Sequence, residues 1–461
     1  MKNLTIKSVT EAVGGTYYGD EFFESQEISM ITIDSRKIEK NGLFIAIKGE
    51  RSDGHDYIKG CLDNGALAVI SEHVIEDEKR PVIVVESSLK ALRDLAAFYR
   101  SQLDIKVVGI TGSVGKTSTK ETIASVLATK YRVLKTAGNF NNEIGLPLTV
   151  FRLTEDDEVA VLEMGISNFG EMSRLTAIAR PDISVITNIG QCHLENLGTR
   201  DGILKAKTEI FEGMNSDGIA VLNADDDKLI TIDSVCGKKP VHFGIDNKSG
   251  IYAKDIQSKG LLGTDAILCN VPCADGVNEF PITISVPGSH MVYNAMAAAA
   301  VGALLGLTSA QIAKGIADMN TIAGRNHIIK TEHFVILDDC YNANPVSMKS
   351  SIDVVALAKG RKVCILGDMF ELGSDEVKLH NEVGQYLEGR NIDVLMTAGK
   401  LSYNIAEGAK QAGASTKVYS FDTRDELIAK LPEVLKDGDN ILVKASHGME
   451  YPAIVKYLEE Y

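Results

Sequence analysis

The chain has 461 residues, 44% hydrophobic and 24% charged, a composition that excludes low-complexity disorder and, at about 150 residues per domain, points to three domains. Lys and Arg number 48 against 63 Asp and Glu, and the net charge of −15 argues against a nucleic-acid partner while leaving room for small phosphorylated ligands. Seven scattered cysteines, with no Cys-x-x-Cys, are expected to be reduced thiols of a cytosolic protein; no signal peptide is expected, and the apolar run 295–300 is too short to enter a membrane.

Residues 1–86 read as a small α/β unit. Strands are expected at 28–33 and 43–48, on either side of Asp34-Ser35-Arg36, then a helix at 54–64 and strands at 66–70 and 81–85. A second unit, 87–322, alternates helix 88–102, strand Lys106–Thr111, a Gly-rich turn and helix, strand Val159–Glu163, helix Glu171–Ala179, strand 183–189, helix 202–212 and strand 218–223. Such alternation indicates a mostly parallel sheet of the phosphate-loop ATPase type. The strand-rich stretch 241–286 is expected to extend that sheet antiparallel, before an Ala-rich helix at 292–305 and a short helix from Ser309. The third unit, 323–461, places strands at 334–338, Lys362–Gly367, 393–398, 417–420 and Asn440–Lys444. That is a doubly wound, Rossmann-like layout, although no Gly-x-Gly-x-x-Gly opens it.

The strongest chemical signal is Thr111-Gly112-Ser113-Val114-Gly115-Lys116-Thr117-Ser118, between a buried strand and a helix expected from Thr119. The glycines let backbone amides approach phosphate oxygens, and the helix start adds its dipole. Lys116 can reach the β- and γ-phosphates, and the Thr117 hydroxyl can bind Mg²⁺. The outer glycine of the longer pattern is missing, because Ile110 stands five residues before Gly115. Glu163 ends a strand at the sheet edge where ligands gather, placed either to share a metal with Thr117 or to stand in solvent. His193, in Gln191-Cys192-His193-Leu194-Glu195, leaves the same edge, and as a lone histidine it suits a structural role at least as well as a ligand's. Lys207 follows on a helix; as an ammonium it would repel Mg²⁺, so charge alone makes it a surface lysine. The run Asn139-Phe140-Asn141-Asn142-Glu143-Ile144-Gly145-Leu146-Pro147 suits a ligand-facing loop and an ordinary turn equally.

Taken together, Thr-Gly-Ser-x-Gly-Lys-Thr, the Gly-Asn-x-Asn-Asn-x-Ile-Gly-x-Pro loop, Leu-Glu-Met-Gly at 162–165, Asn-Ile-Gly-x-x-His-Leu-Glu at 188–195 and Ala-Lys-x-Glu-Ile at 206–210 resemble the Mur ligases. These are ATP-dependent amide-bond ligases of peptidoglycan precursor synthesis, and the resemblance runs through all three units. Asp338-Asp339-Cys340-Tyr341-Asn342-Ala343-Asn344-Pro345 and Gly367-Asp368-Met369-Phe370-Glu371-Leu372-Gly373 are most similar to the members that join D-alanyl-D-alanine to UDP-N-acetylmuramoyl-tripeptide. The Tyr-Ala-His-x-Pro and Asp-Asn-Pro-Arg stretches of the sister enzyme that adds the third residue are absent.

The resemblance implies ATP and two Mg²⁺ ions, with Thr117 and Glu163 holding one and His193 and a carbamylated Lys207 the second. Carbamylation would turn that lysine into a carboxylate and remove the charge objection. Lys116, Glu163, His193 and Lys207 are then the expected catalytic set. Gly112, Ser113, Val114, Gly115, Lys116, Thr117, Ser118, Asn142, Asn294, Arg325 and Asp339 are expected around the nucleotide. Ser35, Arg36, Asp53 and His55 are expected at the UDP-sugar, and Asn344 and Ser446 at the peptide substrates. The implied partners are UDP-N-acetylmuramoyl-tripeptide and D-alanyl-D-alanine, with no nucleic acid, no membrane insertion and a monomeric chain. Two departures fall near the acceptor: Lys444-Ala445-Ser446-His447 stands for Lys-Gly-Ser-Arg, and only Gly448 precedes Met449-Glu450. Another amide ligase of the superfamily, such as a different Mur step or a folylpolyglutamate synthetase, and a nucleotide-binding regulator remain as alternatives.

Overall fold

The structure, a computed structural model, describes residues 1, 3–50, 52–76, 78–413 and 415–461. Three sheets follow one another along the chain, as the alternation of strands and helices predicts. The first has five strands in the order Thr16–Tyr18, Val82–Val84, Ala68–Ser71, Leu43–Ile45, Ile31–Thr32, with only the outer Thr16–Tyr18 antiparallel. The expected strand at 28–33 shortens to Ile31–Thr32, and the expected helix at 54–64 begins as a 3₁₀ turn, Gly54–Tyr57, before Ile58–Asp63. The helix Ile6–Val13 was not expected. Thr5 caps it reciprocally, its hydroxyl accepting from the Ser8 N–H while the Ser8 hydroxyl accepts from the Thr5 N–H.

The central sheet has nine strands, ordered Glu279–Ile284, Thr264–Cys269, Ile251–Ser258, Val241–Gly244, Ile219–Asn223, Ile183–Ile186, Lys106–Thr111, Val159–Glu163, Val133–Lys135. It is parallel from Val133–Lys135 through to Ile251–Ser258; only the last two pairings are antiparallel. The antiparallel extension therefore starts later than 241. Ile251–Ser258 pairs with Val241–Gly244 at just two positions, Phe243 with Ile251 and Gly244 with Tyr252, so a short connection suffices where a full parallel pairing would need a long crossover.

Strand residues of this sheet alternate between two cores. Val107, Ala160 and Leu162 face helices that include Ser88–Ser101 and Glu171–Ala179, whereas Val108, Ile110, Val159 and Val161 face the helices Lys116–Leu127 and His290–Leu304. A parallel sheet covered on both faces needs this two-sided apolar character. The first core is continuous across the expected boundary at 86/87. Ala91, Leu92, Leu95 and Ala96 share it with Leu4, Ile6 and Ile45 on one side and with Leu146, Leu162 and Leu175 on the other.

The third sheet is ordered His327–Lys330, Val335–Asp338, Asn440–Lys444, Lys362–Gly367, Val394–Ala398, Lys417–Phe421; all strands are parallel except His327–Lys330, which was not expected. Val363 and Ile365 face one core, Cys364 and Leu366 the other, which is the doubly wound arrangement. Among the described residues no helix is long and apolar enough to cross a membrane.

Candidate active site

The carboxyl ends of the central and third sheets open onto one cleft of about 880 Å³. The phosphate loop forms its floor. Its helix begins at Lys116 rather than Thr119, because Gly115 takes the left-handed conformation (φ +83°) and turns the chain into it. Lys116 and Thr117 thus stand in the first helical turn. At Gly112 (φ +150°) a Cβ would lie 1.9 Å from Thr187 Oγ1, so only glycine lets the loop pack this close to the neighbouring strand end. The segment 187–190 braces the loop: Asn188 accepts from the Val114 N–H and donates to the Val114 carbonyl, and Ser113 Oγ accepts from the Gly190 N–H. That segment was expected as the end of a strand over 183–189; it leaves the ladder after Ile186 to make these bonds. Among the described residues the Lys116 ammonium donates only to the Gly112 carbonyl, at 2.8 Å, a partner that a phosphate can replace.

Glu163 is buried at the end of its strand. Its Oε1 accepts from Thr117 Oγ1 (3.2 Å) and from Asn141 Nδ2 (2.9 Å), while its buried Oε2 has no hydrogen-bond partner among the described residues and lies 4.0 Å from the Lys120 ammonium. A carboxylate with an oxygen free of hydrogen bonds, beside a threonine hydroxyl at a phosphate loop, is a donor set that fits a hard divalent cation. Among the described residues no three His, Cys, Asp or Glu side chains make a ready metal cage. His193 lines the cleft and Lys207 lies behind it. Lys207 is 1% exposed, makes no ion pair among the described residues, and has its ammonium pushed down to about 8 by burial, with Lys116 adding to the shift.

The third unit supplies the opposite wall. Arg325 stacks on Tyr341, 3.9 Å from the ring centroid. Asp339 accepts from the Asn326 N–H, from Ser351 Oγ and from Lys444 Nζ (2.5 Å). Asn294 and His290 come from the helix His290–Leu304. Asn294 Oδ1 accepts from Thr119 Oγ1, and His290 Nδ1 lies 2.9 Å from Ser350 Oγ across the two units.

Several expected residues sit elsewhere or act differently. Asn142 lines the cleft, but its side-chain oxygen caps the helix Gly145–Val150 by accepting from the Ile144 and Gly145 N–H groups; Asn141, one residue earlier, is the one that touches Glu163. Asn344 likewise caps Pro345–Ala356 at the cleft edge. Ser446 is buried outside the cleft, its hydroxyl accepting from the Phe370 N–H. Ser35, Arg36, Asp53 and His55 lie in the first unit, away from the cleft lining. Arg36 is 86% exposed and, among the described residues, paired only with Asp34. His55 uses both ring nitrogens internally, Nδ1 at 2.6 Å from Asp53 and Nε2 accepting from the Glu72 N–H, so it braces this loop and has no nitrogen left for a ligand. Residues that sequence reasoning missed are Asn141, Lys120, Asn188, Lys444 and Glu371. Lys120 is wholly buried behind the phosphate loop, donating to the Thr136 carbonyl and pairing with Glu121 at 2.9 Å and Glu163 at 4.0 Å.

The fold and the cleft define a three-sheet α/β protein in which a phosphate loop faces the third unit across one cleft. Three family models match the chain: "Mur ligase family, catalytic domain" over residues 27–100, "Mur ligase middle domain" over 110–302, and "Mur ligase, glutamate ligase domain" over 324–447. A UDP-N-acetylmuramoyl-tripeptide–D-alanyl-D-alanine ligase of Bacillus subtilis is 40% identical over all of this chain and 99% of its own length. Among solved structures, a MurF from Acinetobacter baumannii superposes with a TM-score of 0.90 at 30% identity, covering 99% of both chains. A Thermotoga maritima MurF in complex with ADP gives 0.81 at 32%, covering 94% of this chain and 97% of its own. The chain belongs to the Mur ligase family.

Proposed function

We propose that this chain is the ATP-dependent ligase that joins D-alanyl-D-alanine to UDP-N-acetylmuramoyl-tripeptide in peptidoglycan precursor synthesis. The observation that carries the reading is the single cleft in which the phosphate loop and the half-satisfied Glu163 carboxylate face Arg325, Asp339 and Lys444 of the third unit. The full-length Bacillus subtilis relative is named for this reaction. A carboxylate is a poor electrophile, so it is activated first. A carboxylate oxygen of the tripeptide attacks the γ-phosphorus, the bond to the β–γ bridging oxygen breaks, and ADP leaves. The dipeptide amine then attacks the acyl carbon, the carbon–oxygen bond to phosphate breaks, inorganic phosphate leaves, and the nitrogen sheds a proton to give the amide.

Within this reaction Lys116 and the amides of 112–118 neutralise charge on the transferring group. Thr117 and Glu163 would hold one Mg²⁺, and His193 with a carbamylated Lys207 a second; the cations supply further charge neutralisation at the phosphoryl group. The burial and depressed basicity of Lys207 support carbamylation, because the neutral amine is the form that adds CO₂. Arg325, Asp339 and Asn294 are read as nucleotide contacts. Ser35, Arg36 and Asp53 are read as UDP-sugar contacts, with His55 holding their loop. Residues 1–86, 87–322 and 323–461 would then bind the UDP end, ATP, and the dipeptide with part of the nucleotide. Closure of the third unit would keep water from the acyl phosphate. We place the protein in the cytosol as a monomer, in keeping with seven free cysteines.

The test is release of ADP and phosphate measured with each peptide substrate alone, with both, and with a panel of other acceptors. The reading requires turnover that depends on both UDP-N-acetylmuramoyl-tripeptide and D-alanyl-D-alanine. Turnover with a glutamate or single-amino-acid acceptor would move the chain to another step of the family.

A further inference from the structure

His193 meets the third unit directly. Its Nδ1 lies 2.7 Å from Oε2 of Glu371, a residue that follows the strand Lys362–Gly367 of the other sheet. Both residues hold a left-handed backbone, φ +53° at His193 and +62° at Glu371, a conformation that non-glycine residues rarely adopt and that clusters where the surroundings impose it. At Glu371 the surroundings impose it. The Met369 N–H donates to Nε2 of the buried His380, whose Nδ1 lies 2.6 Å from the Glu376 carbonyl. The Phe370 N–H donates to Ser446 Oγ, and the Ser446 N–H donates back to the Asp368 carbonyl. The loop is thus pinned just before the residue that reaches across the cleft. The next turn, Gly373–Asp375, packs beside Glu195 in the helix that His193 begins.

The distance is that of a hydrogen bond, but the approach is off the donor axis, so the buried Nδ1 has a charged neighbour and no aligned acceptor. Unliganded sites commonly hold such contacts loosely and tighten them when filled. A histidine that binds a metal through one ring nitrogen ordinarily donates the other N–H to a carboxylate, which fixes the tautomer and the ring plane. Here that carboxylate comes from a different unit than the histidine.

We propose that Glu371 is the positioning carboxylate of His193, so that the second cation site is completed only when the third unit closes on the central one. The inference rests on the assignment of His193 to a cation in the proposed function. With Glu371 accepting at Nδ1, the Nε2 lone pair is left for the metal. With the third unit swung away, the ring loses its tautomer preference and its orientation together. Ser446 then has a role that its absence from the cleft lining leaves otherwise unexplained: it holds the Glu371 loop.

The test is Glu371→Gln, which keeps the shape of the side chain and removes its charge, compared with the wild-type protein. Mn²⁺ binding is counted by electron paramagnetic resonance with a non-hydrolysable ATP analogue and UDP-N-acetylmuramoyl-tripeptide present, and kcat and KM for ATP are measured separately. The expected result is two Mn²⁺ per wild-type chain, with the second weakened about 10- to 100-fold in the variant and kcat falling in proportion. The first Mn²⁺, KM for ATP and the melting curve should be unchanged, a pattern that a merely structural surface pair would not produce. A variant with two equally tight Mn²⁺ and wild-type kcat would overturn the proposal. A wild-type chain that ligates yet binds one Mn²⁺ would instead overturn the parent assignment of His193.

Discussion

Thr117 and Glu163 share a hydrogen bond of 3.2 Å, and the other oxygen of the Glu163 carboxylate is buried with no hydrogen-bond partner among the described residues. What stands behind that carboxylate is the wholly buried Lys120, 4.0 Å away, which also pairs with Glu121 and donates to the Thr136 carbonyl. Breaking a buried charge cluster by removing one partner is costly, because the remaining charges stay desolvated and unpaired, on the order of 3–5 kcal/mol. Lys120→Met should therefore lower the melting temperature by roughly 10 °C, and Mg²⁺ with ADP should recover part of the loss by giving Glu163 another cation. A variant that melts with the wild type would show that Lys120 is not what balances this corner.

Lys116 is the contrasting lysine. It touches a single backbone carbonyl and contributes little to the fold, yet no other cation is placed in the phosphate loop. Removing a contact that strengthens only as charge moves in the transition state costs about 2.7–4 kcal/mol, or 10²–10³ in kcat. Lys116→Ala should lose ligation by at least that factor while its melting curve stays within about 0.5 kcal/mol of wild type. Turnover near the wild-type rate would remove Lys116 from the mechanism.

Arg36 tests the division of labour between units. Its guanidinium is 86% exposed and its pair with Asp34 is a surface pair, which contributes little to stability. It has no structural duty beyond that pair, and a polar loop at the edge of the first sheet is where a charged ligand end would find it. Arg36→Ala should raise KM for UDP-N-acetylmuramoyl-tripeptide and leave KM for ATP and the melting curve alone. Equal rises in both constants would mean that the first unit does not have a site of its own.

The phosphate loop was legible because a run of β-branched residues, the loop glycines Gly112 and Gly115 and a Lys-Thr pair leave few other structures for 106–118. The third sheet was legible for a similar reason, from its alternating strands and helices. What escaped was of two kinds. Short edge strands such as Val133–Lys135 and His327–Lys330 carry too few residues for any period to emerge. Side-chain direction within a run was the other: in Asn139–Phe140–Asn141–Asn142 nothing distinguishes the amide that caps a helix from the one that meets Glu163. Lys120 reads as a solvated helix lysine, since no local pattern announces the carboxylates buried around it. The Glu371–His193 contact joins residues brought together only by the docking of two sheets.

Lys207 brings fold and chemistry into opposition, and its pH dependence follows from its burial. The side chain is fully buried without an ion pair among the described residues, and burial holds its basicity down to about 8, against 10.5 in an unfolded chain. Below pH 8 both states keep the proton and the fold bears the whole cost of the buried charge. Between about 8 and 10.5 the folded chain releases its proton first, so stability climbs with pH across that window by up to about 3 kcal/mol. In CO₂-free buffer the wild-type melting temperature should therefore rise relative to that of Lys207→Met as pH goes from 7 to 10. Adding bicarbonate should narrow the gap at neutral pH, because a carbamate removes the ammonium and gives a cation a hard oxygen ligand. Lys207→Ala should be nearly inactive and partly rescued by formate or acetate. Lys205, exposed and lying over the Phe169 ring at 5.8 Å, should tolerate alanine. A pH-independent melting gap, no added mass on Lys207 and full activity in Lys207→Ala would together leave Lys207 a buried lysine with no part in the reaction.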